Sequence, residues 1–445
     1  MYQDTIAAIS TPLGEGGIGI VRLSGENARS IIRQIFDNPL TDHQIAYGHV
    51  VDPKTAETVD EALVSYMAAP HTYTREDIIE INCHGGAASL KRVLELALKC
   101  GARPAEPGEF TLRAFLNGRI DLSQAESVLD IVQAKTQASL RLAVEGLGGR
   151  LSEQIRSIRD ELLSVLAYLT ARIDFPDDEV VEQDAFGPFQ KAREQLQNLI
   201  ASADAGIVYR YGIRTAIVGR PNVGKSSLLN LLLRESRAIV TSVPGTTRDT
   251  LEEVANLNGV PFVLVDTAGI IKSKDVVESL GVERSRKAIE QASLVLLVVD
   301  TSELLTEADE EILAILEGKA VVVAANKSDL PSMSDLSKLH WPIVRTSAAT
   351  GDGLEKLEKE MMKLALGGKV ATSNAFLVTN VRHKEALQRA EKHLSDAQEN
   401  LEKNTPDDFI TIDLTAALNA LGEITGETVT EDLLQTIFSR FCIGK

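Results

Sequence analysis

The sequence has few cysteines and no long apolar run. It contains three cysteines among 445 residues (Cys83, Cys100 and Cys442), and their wide spacing suits neither a disulfide framework nor a zinc site. No apolar run reaches the length of a transmembrane helix. The first residues carry neither the basic region nor the apolar core of a signal peptide. We therefore expect a cytoplasmic protein.

A strongly basic segment is also missing. The net charge is −18, and acidic side chains outnumber basic ones in each of the four predicted segments defined below. This composition argues against tight RNA binding by the chain alone, although a local basic face or a basic partner is compatible with it. The length predicts two to four domains. A content of 44% hydrophobic and 25% charged residues is typical of a soluble globular protein.

The first motif that is present binds phosphate. Residues 219–226 read GRPNVGKS and match G-x-x-x-x-G-K-[ST], between an apolar strand run at 215–218 and an apolar helical run at 228–233. Glycines let backbone N–H groups face the α- and β-phosphates. Lys225 can reach the β- and γ-phosphates, and the Ser226 hydroxyl can bind Mg²⁺. A glycine-rich turn of no function would also fit, but three further motifs follow in the expected order.

Two of these motifs end predicted strands at 262–265 and 320–325. In Asp266-Thr267-Ala268-Gly269, the carboxylate can hold Mg²⁺ through water and the last N–H can meet the γ-phosphate. In Asn326-Lys327-Ser328-Asp329, the Asp329 carboxylate can accept two hydrogen bonds from guanine that adenine does not offer. Thr346-Ser347-Ala348, after a third strand at 343–345, resembles the last guanine-binding loop of GTPases. Together the motifs predict a guanine-nucleotide domain.

The segments that would sense the γ-phosphate are unusual in one respect. Residues 241–249 read TSVPGTTRD and resemble a first switch loop, with Thr247 placed to complete the Mg²⁺ shell. Ile270 stands where Ras-like enzymes carry the glutamine that orients the attacking water. Hydrolysis therefore requires a substitute for that glutamine and for the arginine finger.

The remaining chain predicts a multidomain fold that combines α/β and all-α parts. Residues 1–117 predict an α+β domain with strands at 5–9, 18–23, 62–68 and 78–82 and helices at 27–36 and 87–100. Residues 118–213 and 371–445 predict two halves of a helical domain on either side of a GTPase domain at 214–370. A capping-box pattern, Ser123-Gln124-Ala125-Glu126, opens the helical part. Its further helices are predicted at about 151–173, 189–203, 384–403, 412–421 and 430–438.

Several short motifs together resemble the MnmE (TrmE) family of tRNA modification GTPases. They are DTIA at 4–7, GGIGI at 16–20, PGEF at 107–110, RAFLN at 113–117, IDFP at 173–176, GTTRD at 245–249 and FCIGK at 441–445. The resemblance spans the whole chain. It implies a homodimer of three-domain chains, with an N-terminal dimerisation and folate-binding domain and a Ras-like P-loop GTPase inserted into a discontinuous helical domain.

The resemblance also implies a reaction. Together with the FAD-dependent partner MnmG, in a heterotetramer, such proteins add an aminomethyl or carboxymethylaminomethyl group to carbon 5 of the wobble uridine of certain tRNAs. A reduced folate, 5-formyl- or 5,10-methylene-tetrahydrofolate, supplies the one-carbon unit. The folate contacts of the family match Arg22, Glu80, Arg119 and Lys445, and Cys442 matches a tail cysteine that points towards the folate. On sequence alone, the first three of these read as solvated or ion-paired surface residues.

In the family, GTPase domains pair across the nucleotide, and K⁺ supplies the charge of an arginine finger. The matching K⁺ ligands are Asn222, Thr241, Val243 and Thr246, while Ser226 and Thr247 match the Mg²⁺ ligands and Glu278 the residue that orients water. Relatives often carry Arg-Glu where this chain has Ile271-Lys272. The full set of predicted GTP contacts comprises Asn222, Val223, Gly224, Lys225, Ser226, Ser227, Thr241, Ser242, Val243, Pro244, Gly245, Thr246, Thr247, Asp266, Thr267, Ala268, Gly269, Asn326, Lys327, Asp329, Ser347, Ala348 and Ala349.

Two other functions stay open at this stage. A ribosome-assembly GTPase of the Era or Der type would use the same nucleotide motifs, but it predicts a basic RNA-binding appendix, and residues 371–445 are net acidic. A folate-binding or scaffolding protein could use GTP only to control its conformation.

Overall fold

A computed structural model describes residues 4–175, 181, 184–235, 252–266, 287–367, 377–403 and 405–445. The chain forms two compact units. The first comprises Met1–Leu129, Leu147–Arg156 and Leu418–Lys445, and the second comprises Asp130–Gly146 and Ser157–Ala417. Within the described ranges, every helix is too short or too polar to cross a membrane.

The first unit is built on a six-stranded sheet. Its strands are β1 (Ile6–Ile9), β2 (Gly19–Ser24), β3 (Gln44–Val51), β4 (Thr58–Met67), β5 (Ile78–Cys83) and β6 (Arg103–Pro104). They lie in the order β3-β4-β5-β2-β1-β6, and all pairs are antiparallel except β1 with β6. In the second half of β4, buried and less buried positions alternate, which is the pattern of a sheet covered on one face.

Three helices complete this α+β arrangement: α1 (Ala28–Ile35), α2 (Ala87–Lys99) and α3 (Glu109–Leu116). The apolar stripes of the first two helices, including Ile32 and Leu90, pack into one core with the buried side chains of the sheet. α3 instead joins a smaller cluster in which Ala114 lies with Phe438 and Phe441 near the C-terminus. The end of the chain is therefore part of the first unit.

The helical part has seven helices among the described residues. They are α4 (Leu122–Gln133), α5 (Gln137–Leu147), α6 (Arg150–Asp174), α7 (Phe186–Tyr211), α11 (Val381–Glu402), α12 (Asp407–Thr425) and α13 (Glu431–Phe438). α7 packs against α11, its partner from the other half of the sequence. α4 begins with a capping box, but not at the predicted residues. Asp121 and Gln124 exchange side-chain and backbone hydrogen bonds, whereas the Ser123 hydroxyl contacts Ser152.

The second sheet has six strands in the order β12-β11-β10-β7-β9-β8. They are β7 (Ile213–Val218), β8 (Glu252–Leu257), β9 (Val260–Asp266), β10 (Leu294–Asp300), β11 (Val321–Asn326) and β12 (Ile343–Arg345). All pairs are parallel except β8 with β9. All seven residues of β10 and all six of β11 are buried, which explains their continuous apolar sequence.

Among the described residues, this sheet is accompanied by α8 (Lys225–Glu235), α9 (Glu307–Ile315) and α10 (Leu354–Ala365) and by a further helical stretch at 287–291. Two core clusters, one around Ile217 and one around Val218, receive alternate residues of the same strands. The sheet is thus covered on both faces, as in doubly wound α/β domains. In such domains ligands bind at the carboxyl ends of the strands.

Most predicted elements are present with shifted ends. The strands β3, β6, β8 and β10 and the helices α3, α5, α9 and α10 were not predicted. α7 is longer than predicted at both ends, because its half-polar sequence obscures the apolar stripe that Leu196 and Leu199 continue. The predicted domain boundaries at 117, 213 and 370 remain predictions.

Candidate nucleotide and folate sites

The phosphate-binding loop joins β7 to α8. Lys225 and Ser226 open the helix, so the loop presents backbone N–H groups at a helix N-terminus, where anions bind. Gly224 has φ +102°, and a Cβ added there would lie 2.2 Å from the Asn326 amide nitrogen. A side chain at this position would clash with the neighbouring guanine motif, which is why the motif requires glycine.

The Lys225 side chain already points into this loop. Its ammonium group donates to the carbonyl oxygens of Gly219 at 2.7 Å and Arg220 at 2.6 Å, and the residue is buried. The charge is therefore held inside the curl of the loop, where phosphate oxygens would be bound. Asn222 lies in the same loop with a positive φ of 64°, a conformation that asparagine tolerates better than most residues.

Asn326 links three of the predicted motifs. Its amide nitrogen donates to the carbonyl oxygen of Val223 in the phosphate loop at 2.8 Å. Its amide oxygen accepts from the Ala348 N–H of the last motif at 3.0 Å. The residue is buried at the end of β11, so both hydrogen bonds are shielded from water. The asparagine of this motif thereby holds the phosphate loop and the guanine loop at one edge of the sheet.

A hydrogen bond from the last motif also orients Asp329. The Ser347 hydroxyl donates to one of its carboxylate oxygens at 2.6 Å, which orients the carboxylate and leaves acceptor positions for a base. Predicted guanine contacts from the third and fourth motifs, Asn326–Asp329 and Thr346–Ala348, therefore lie side by side. Lys327, between Asn326 and Asp329, has a positive φ of 60° and forms an ion pair with Asp300 at 2.6 Å.

Asp300 was not predicted from the sequence. It ends β10 and is buried. Burial raises its pKa, but the Lys327 ammonium and hydrogen bonds from Ser302 outweigh this, so the pKa of Asp300 lies below its ordinary value. The signal was available, because Asn326 ends the neighbouring strand β11 and Asp266 ends β9, two strands away in the same sheet. Polar residues at adjacent parallel strand ends are expected to meet at one edge.

Several predicted site residues lie outside the described residues. These are Thr241, Ser242, Val243, Pro244, Gly245, Thr246, Thr247, Thr267, Ala268, Gly269 and Glu278, together with Ile270, Ile271 and Lys272. Asp266 ends β9, but its side chain is not described. The predictions for Mg²⁺, K⁺ and water orientation therefore remain predictions, as do Ser227 and Ala349 as nucleotide contacts.

A second group of predicted residues meets in the first unit. Arg22 on β2 is the register partner of Glu80 on β5, and two nitrogens of its guanidinium group contact the same Glu80 carboxylate oxygen at 2.7 and 2.8 Å. Arg22 also donates to the Gly444 carbonyl oxygen at 3.2 Å. The residue before Lys445 is thus bound directly to the arginine predicted to contact folate. Cys442 is exposed beside it in the sequence.

Arg119 lies over the Tyr73 ring, with its guanidinium carbon 4.7 Å from the ring centre. Burial raises the pKa of Tyr73, while a hydrogen bond with Thr111 and the positive charges of Arg119 and Arg22 oppose that shift. The Arg22 guanidinium lies over the Phe110 ring, 5.7 Å from its centre, and Phe110 packs with Tyr73 in one apolar cluster. The predicted folate residues share one region that combines cations, a carboxylate and aromatic faces.

Beneath this region lies a buried ion network that the sequence did not predict. The Arg113 side chain has no exposed surface and pairs with Asp4 at 2.7 Å, Glu109 at 2.9 Å and Glu76 at 3.3 Å. Burial raises the pKa of Glu109, but hydrogen bonds from Arg103, the Glu106 N–H and Arg113 outweigh it and hold the pKa below its usual range. The i,i+4 spacing of Glu109 and Arg113 was the available signal.

A third group could hold a metal ion. His393 and Asp396 on α11 and Asp413 on α12 each offer one ligand atom, and these atoms lie within 4.8 Å of one another. Asp396 is exposed, and Asp413 already accepts a hydrogen bond from Asn400 at 3.0 Å. No predicted motif includes this group, and it takes no part in the function proposed below.

The parallel sheet and the joined phosphate and guanine loops define a P-loop GTPase domain. Two family models match the chain: "MnmE helical domain" over residues 122–442 and "GTP-binding protein TrmE N-terminus" over residues 5–119. The chain belongs to the MnmE family of tRNA modification GTPases. This confirms the family that the short motifs indicated.

Curated relatives match over their full length. The chain is 53% identical to the tRNA modification GTPase MnmE of Chloroflexus aurantiacus, 52% to that of a Roseiflexus species and 50% to that of a Thermoanaerobacter species, each with 100% of both chains covered. Among solved structures, the G domain of the T. maritima FeoB iron transporter is 29% identical over 34% of this chain and 98% of its own, with a TM-score of 0.27. Aquifex aeolicus Era bound to GDP and AlF₄⁻ is 31% identical over 40% and 65%, with a TM-score of 0.28.

Proposed function

We propose that this protein hydrolyses GTP as part of a tRNA modification reaction. The observation that carries the proposal is the hydrogen-bonded joint at Asn326, which holds the guanine-reading Asp329 beside a phosphate loop in a chain of the MnmE family. A carboxylate oriented by Ser347 selects guanine over adenine because adenine would leave it unpaired. Family membership connects this GTPase to tRNA.

In the finer form of the proposal, the modified atom is carbon 5 of the wobble uridine of certain tRNAs. The FAD-dependent partner MnmG joins in a heterotetramer, and the product is an aminomethyl or carboxymethylaminomethyl uridine. The net charge of −18 supports a role for the partner in tRNA binding, because a basic partner would contribute most of the attraction for tRNA phosphates. The reaction would take place in the cytoplasm.

The hydrolytic site would use two cations. Ser226 and Thr247 would hold Mg²⁺, and Asn222 with Thr241, Val243 and Thr246 would hold K⁺. Bound cations would stabilise negative charge that develops between the β- and γ-phosphates. Glu278 would orient water in place of the glutamine that Ile270 replaces. The position of Asn222 in the phosphate loop supports this assignment, because its side chain starts from the loop that would surround the phosphates.

The first unit would bind a reduced folate. Arg22, Arg119 and Lys445 offer positive charge for the carboxylates of folate, and Glu80 offers a hydrogen-bond acceptor for its pterin ring. Tyr73 and Phe110 supply aromatic surface beneath the two arginines. The residues present therefore fit this cofactor. The folate would supply the one-carbon unit that is transferred to the uridine.

The same unit would form the homodimer. Ile45 and Tyr47 on the edge strand β3 and Leu63 on β4 are exposed on the sheet. Exposed apolar side chains beside an unpaired strand edge are typical of a protein interface. Three domains would follow the predicted division at 1–117, 118–213 with 371–445, and 214–370.

The deciding experiment is the modified-nucleoside profile of tRNA from a strain that lacks the gene. We expect loss of the 5-substituted wobble uridines and their return on complementation with the wild-type gene. Complementation with an Asp329→Asn variant should fail, whereas Asp335→Asn, an exposed acid in the following loop, should succeed. Unchanged wobble uridines in the deletion strain would refute the tRNA role and favour a ribosome-assembly switch.

Two measurements address the cofactors. GTP turnover should be faster in KCl than in NaCl at equal ionic strength, and equal rates would contradict the K⁺ ligands. Binding of 5-formyl-tetrahydrofolate, measured by calorimetry, should weaken in an Arg119→Gln variant. Unaltered binding would contradict the folate contacts.

A further inference from the structure

The hairpin of β8 and β9 joins the two segments that are predicted to sense the γ-phosphate. β8 begins at Glu252, three residues after the predicted first switch segment, and β9 ends at Asp266, the first residue of the second motif. Asn258 and Gly259 form the turn, with φ values of +50° and +92°. Two positive φ values are typical of the tight turn that suits a twisted hairpin. A shift of either predicted segment would therefore move this hairpin.

Two buried hydroxyl groups hold the turn. The Thr136 hydroxyl donates to the Gly259 carbonyl oxygen at 2.9 Å, and the Ser139 hydroxyl donates to the Tyr209 carbonyl oxygen at 2.9 Å. The two hydroxyl oxygens lie 2.7 Å apart, and each residue is 5% exposed. We call this pair the hydroxyl clamp. It binds the hairpin turn and the end of α7 to the start of α5.

Apolar packing reinforces the hydroxyl clamp. Leu142 of α5 and Tyr209 of α7 belong to the same buried cluster as Leu257 and Val260, which flank the turn. A Cβ added at Gly259 would lie 3.1 Å from the Ala138 Cβ, so helix and turn are already in close contact. The turn is therefore embedded between two helices of the helical part. It is not a free loop tip.

The surroundings of the hydroxyl clamp leave space on one side. A cavity of about 300 Å³ is lined by residues of α4, α5 and α7 and by Thr379. Arg210, at the end of α7, forms an ion pair with Asp130 and donates to the Thr379 carbonyl oxygen at 3.4 Å. Both halves of the helical part thus meet beside the hairpin turn. The cavity adjoins α5 at Ser139, Leu142 and Ala143.

The hairpin can act as a lever. From Gly259 to Asp266 the chain spans roughly 23 Å, at about 3.3 Å per residue. Strand β9 is paired with β7 on one side and β8 on the other, so it moves as a stiff element rather than bending locally. Displacement at the nucleotide end therefore reaches the clamp, and restraint at the clamp limits displacement at the nucleotide end.

We propose that Thr136 and Ser139 are positioning residues for GTP hydrolysis, through which the helical part holds the hairpin between the two nucleotide-sensing segments. The inference rests on the proposed GTPase function and adds the route by which the helical part and the GTPase domain affect each other. Within the part of the chain that the structure describes, the side-chain hydrogen bonds of these two residues go to the hairpin turn, to α7 and to each other. Their effect is on the position of β9 and on the movement of α5.

The first test separates positioning from folding. Thr136→Val keeps the shape and removes the hydroxyl, while Thr136→Ser keeps the hydroxyl. Ser123→Ala is the matched control, because Ser123 is also buried and bonded to another hydroxyl, that of Ser152 at 2.8 Å in the first unit. We expect Thr136→Val to lower kcat for GTP at least fivefold with KM and GDP affinity within twofold of wild type. Thr136→Ser should restore most of the rate, and Ser123→Ala should leave it unchanged.

The second test follows α5 directly. Hydrogen exchange of residues 137–147 should differ between GDP and a non-hydrolysable GTP analogue in the wild type, and this difference should vanish in Thr136→Val. A Ser139→Ala variant should show the same loss. The inference would be overturned if kcat were equal in the wild type and Thr136→Val. It would also be overturned if hydrogen exchange in wild-type α5 were the same with GDP and with the GTP analogue. A wild type that hydrolyses no GTP would instead refute the proposed function itself.

Discussion

The nucleotide site and the site at the C-terminal tail are held together by different forces. Asn326 joins the phosphate loop and the guanine loop through hydrogen bonds between neutral groups that are shielded from water, and the buried Ser347 hydroxyl orients the exposed Asp329 carboxylate. Around the tail, Arg22 and Arg113 act through ion pairs with carboxylates from distant parts of the sequence. The strength of hydrogen bonds between uncharged groups changes little with salt and pH, whereas the strength of ion pairs changes with both. The two sites can therefore be disturbed separately.

Removing the buried cation should have the largest effect. Arg113→Leu would remove the buried cation that Asp4, Glu76 and Glu109 share and leave Arg103 as the remaining basic partner of Glu109. We expect the free energy of unfolding of the first unit to fall by about 3–5 kcal/mol. Urea denaturation measures the loss. Arg92→Leu removes a cation that is more exposed and also paired, with Asp52, so it should cost less than about 1 kcal/mol. Equal losses would show that burial of the network is unimportant.

The second largest effect is expected from replacing Asp329, the acid predicted to bind guanine. Asp329→Asn replaces an acceptor by a donor, and we expect GTP affinity to fall by about 2–4 kcal/mol, roughly 30- to 1,000-fold, with xanthosine triphosphate bound better than GTP. Competition against a fluorescent GDP analogue measures both affinities. Asp335→Asn in the following loop should leave them unchanged. Unaltered base preference in Asp329→Asn would refute the placement of the base.

Lowering the pH should destabilise the first unit before it destabilises the second. The pKa of Glu109 is depressed in the folded protein, so its contribution to stability is present above the unfolded pKa of about 4.5 and is lost as the pH falls through the lower, folded value. Asp4 behaves in the same way. We expect hydrogen exchange at pH 3.5 to rise first in α3, before β10. If hydrogen exchange rose in α3 and β10 at the same pH, the comparison would be contradicted. The stability of Arg113→Leu should depend less on pH than that of the wild type.

A smaller effect is expected at the partly exposed ion pair. Arg22→Gln would remove the pairing with Glu80 and the bond to Gly444, which should cost about 1 kcal/mol, or roughly fivefold in the affinity for 5-formyl-tetrahydrofolate. Calorimetry in 50 and 300 mM salt measures the loss. Binding should also weaken with salt in the wild type, because the contacts are charged. Nucleotide affinity serves as the internal control and should not change.

The smallest effect is expected at the ion pair between Asp300 and Lys327, beside the guanine loops. Asp300→Asn keeps a hydrogen-bond acceptor for Lys327 but removes the charge, and we expect GTP affinity to fall by about 0.5–1 kcal/mol, roughly two- to fivefold. Glu303→Gln, an exposed acid nearby that pairs with Arg220, is the control and should have no effect. A tenfold or larger loss in Asp300→Asn would place this charge among the main supports of the guanine loops.

The nucleotide site could be predicted because each motif is short and contiguous. The residues of GRPNVGKS and of Asn326–Asp329 carry their chemistry within a few positions, and β7 and β11 end where the motifs begin. Asp300 was missed because a single acid after a buried strand forms no motif by itself. The strand β8 was missed because Glu252 and Glu253 interrupt its apolar pattern at an edge of the sheet.

By itself, the sequence determined the GTPase class, the mixed α/β and helical fold and, through scattered short motifs, the family. Each of these depends on neighbours along the chain. Only the tertiary structure brought Arg22 to Glu80 and Gly444, buried Arg113 among three carboxylates and placed Thr136 on the turn at Gly259. Apart from Glu109, which is four residues from Arg113, these partners are separated by 37 to more than 400 residues along the chain. No local pattern encodes such contacts, because they form only when the sheet and helices pack.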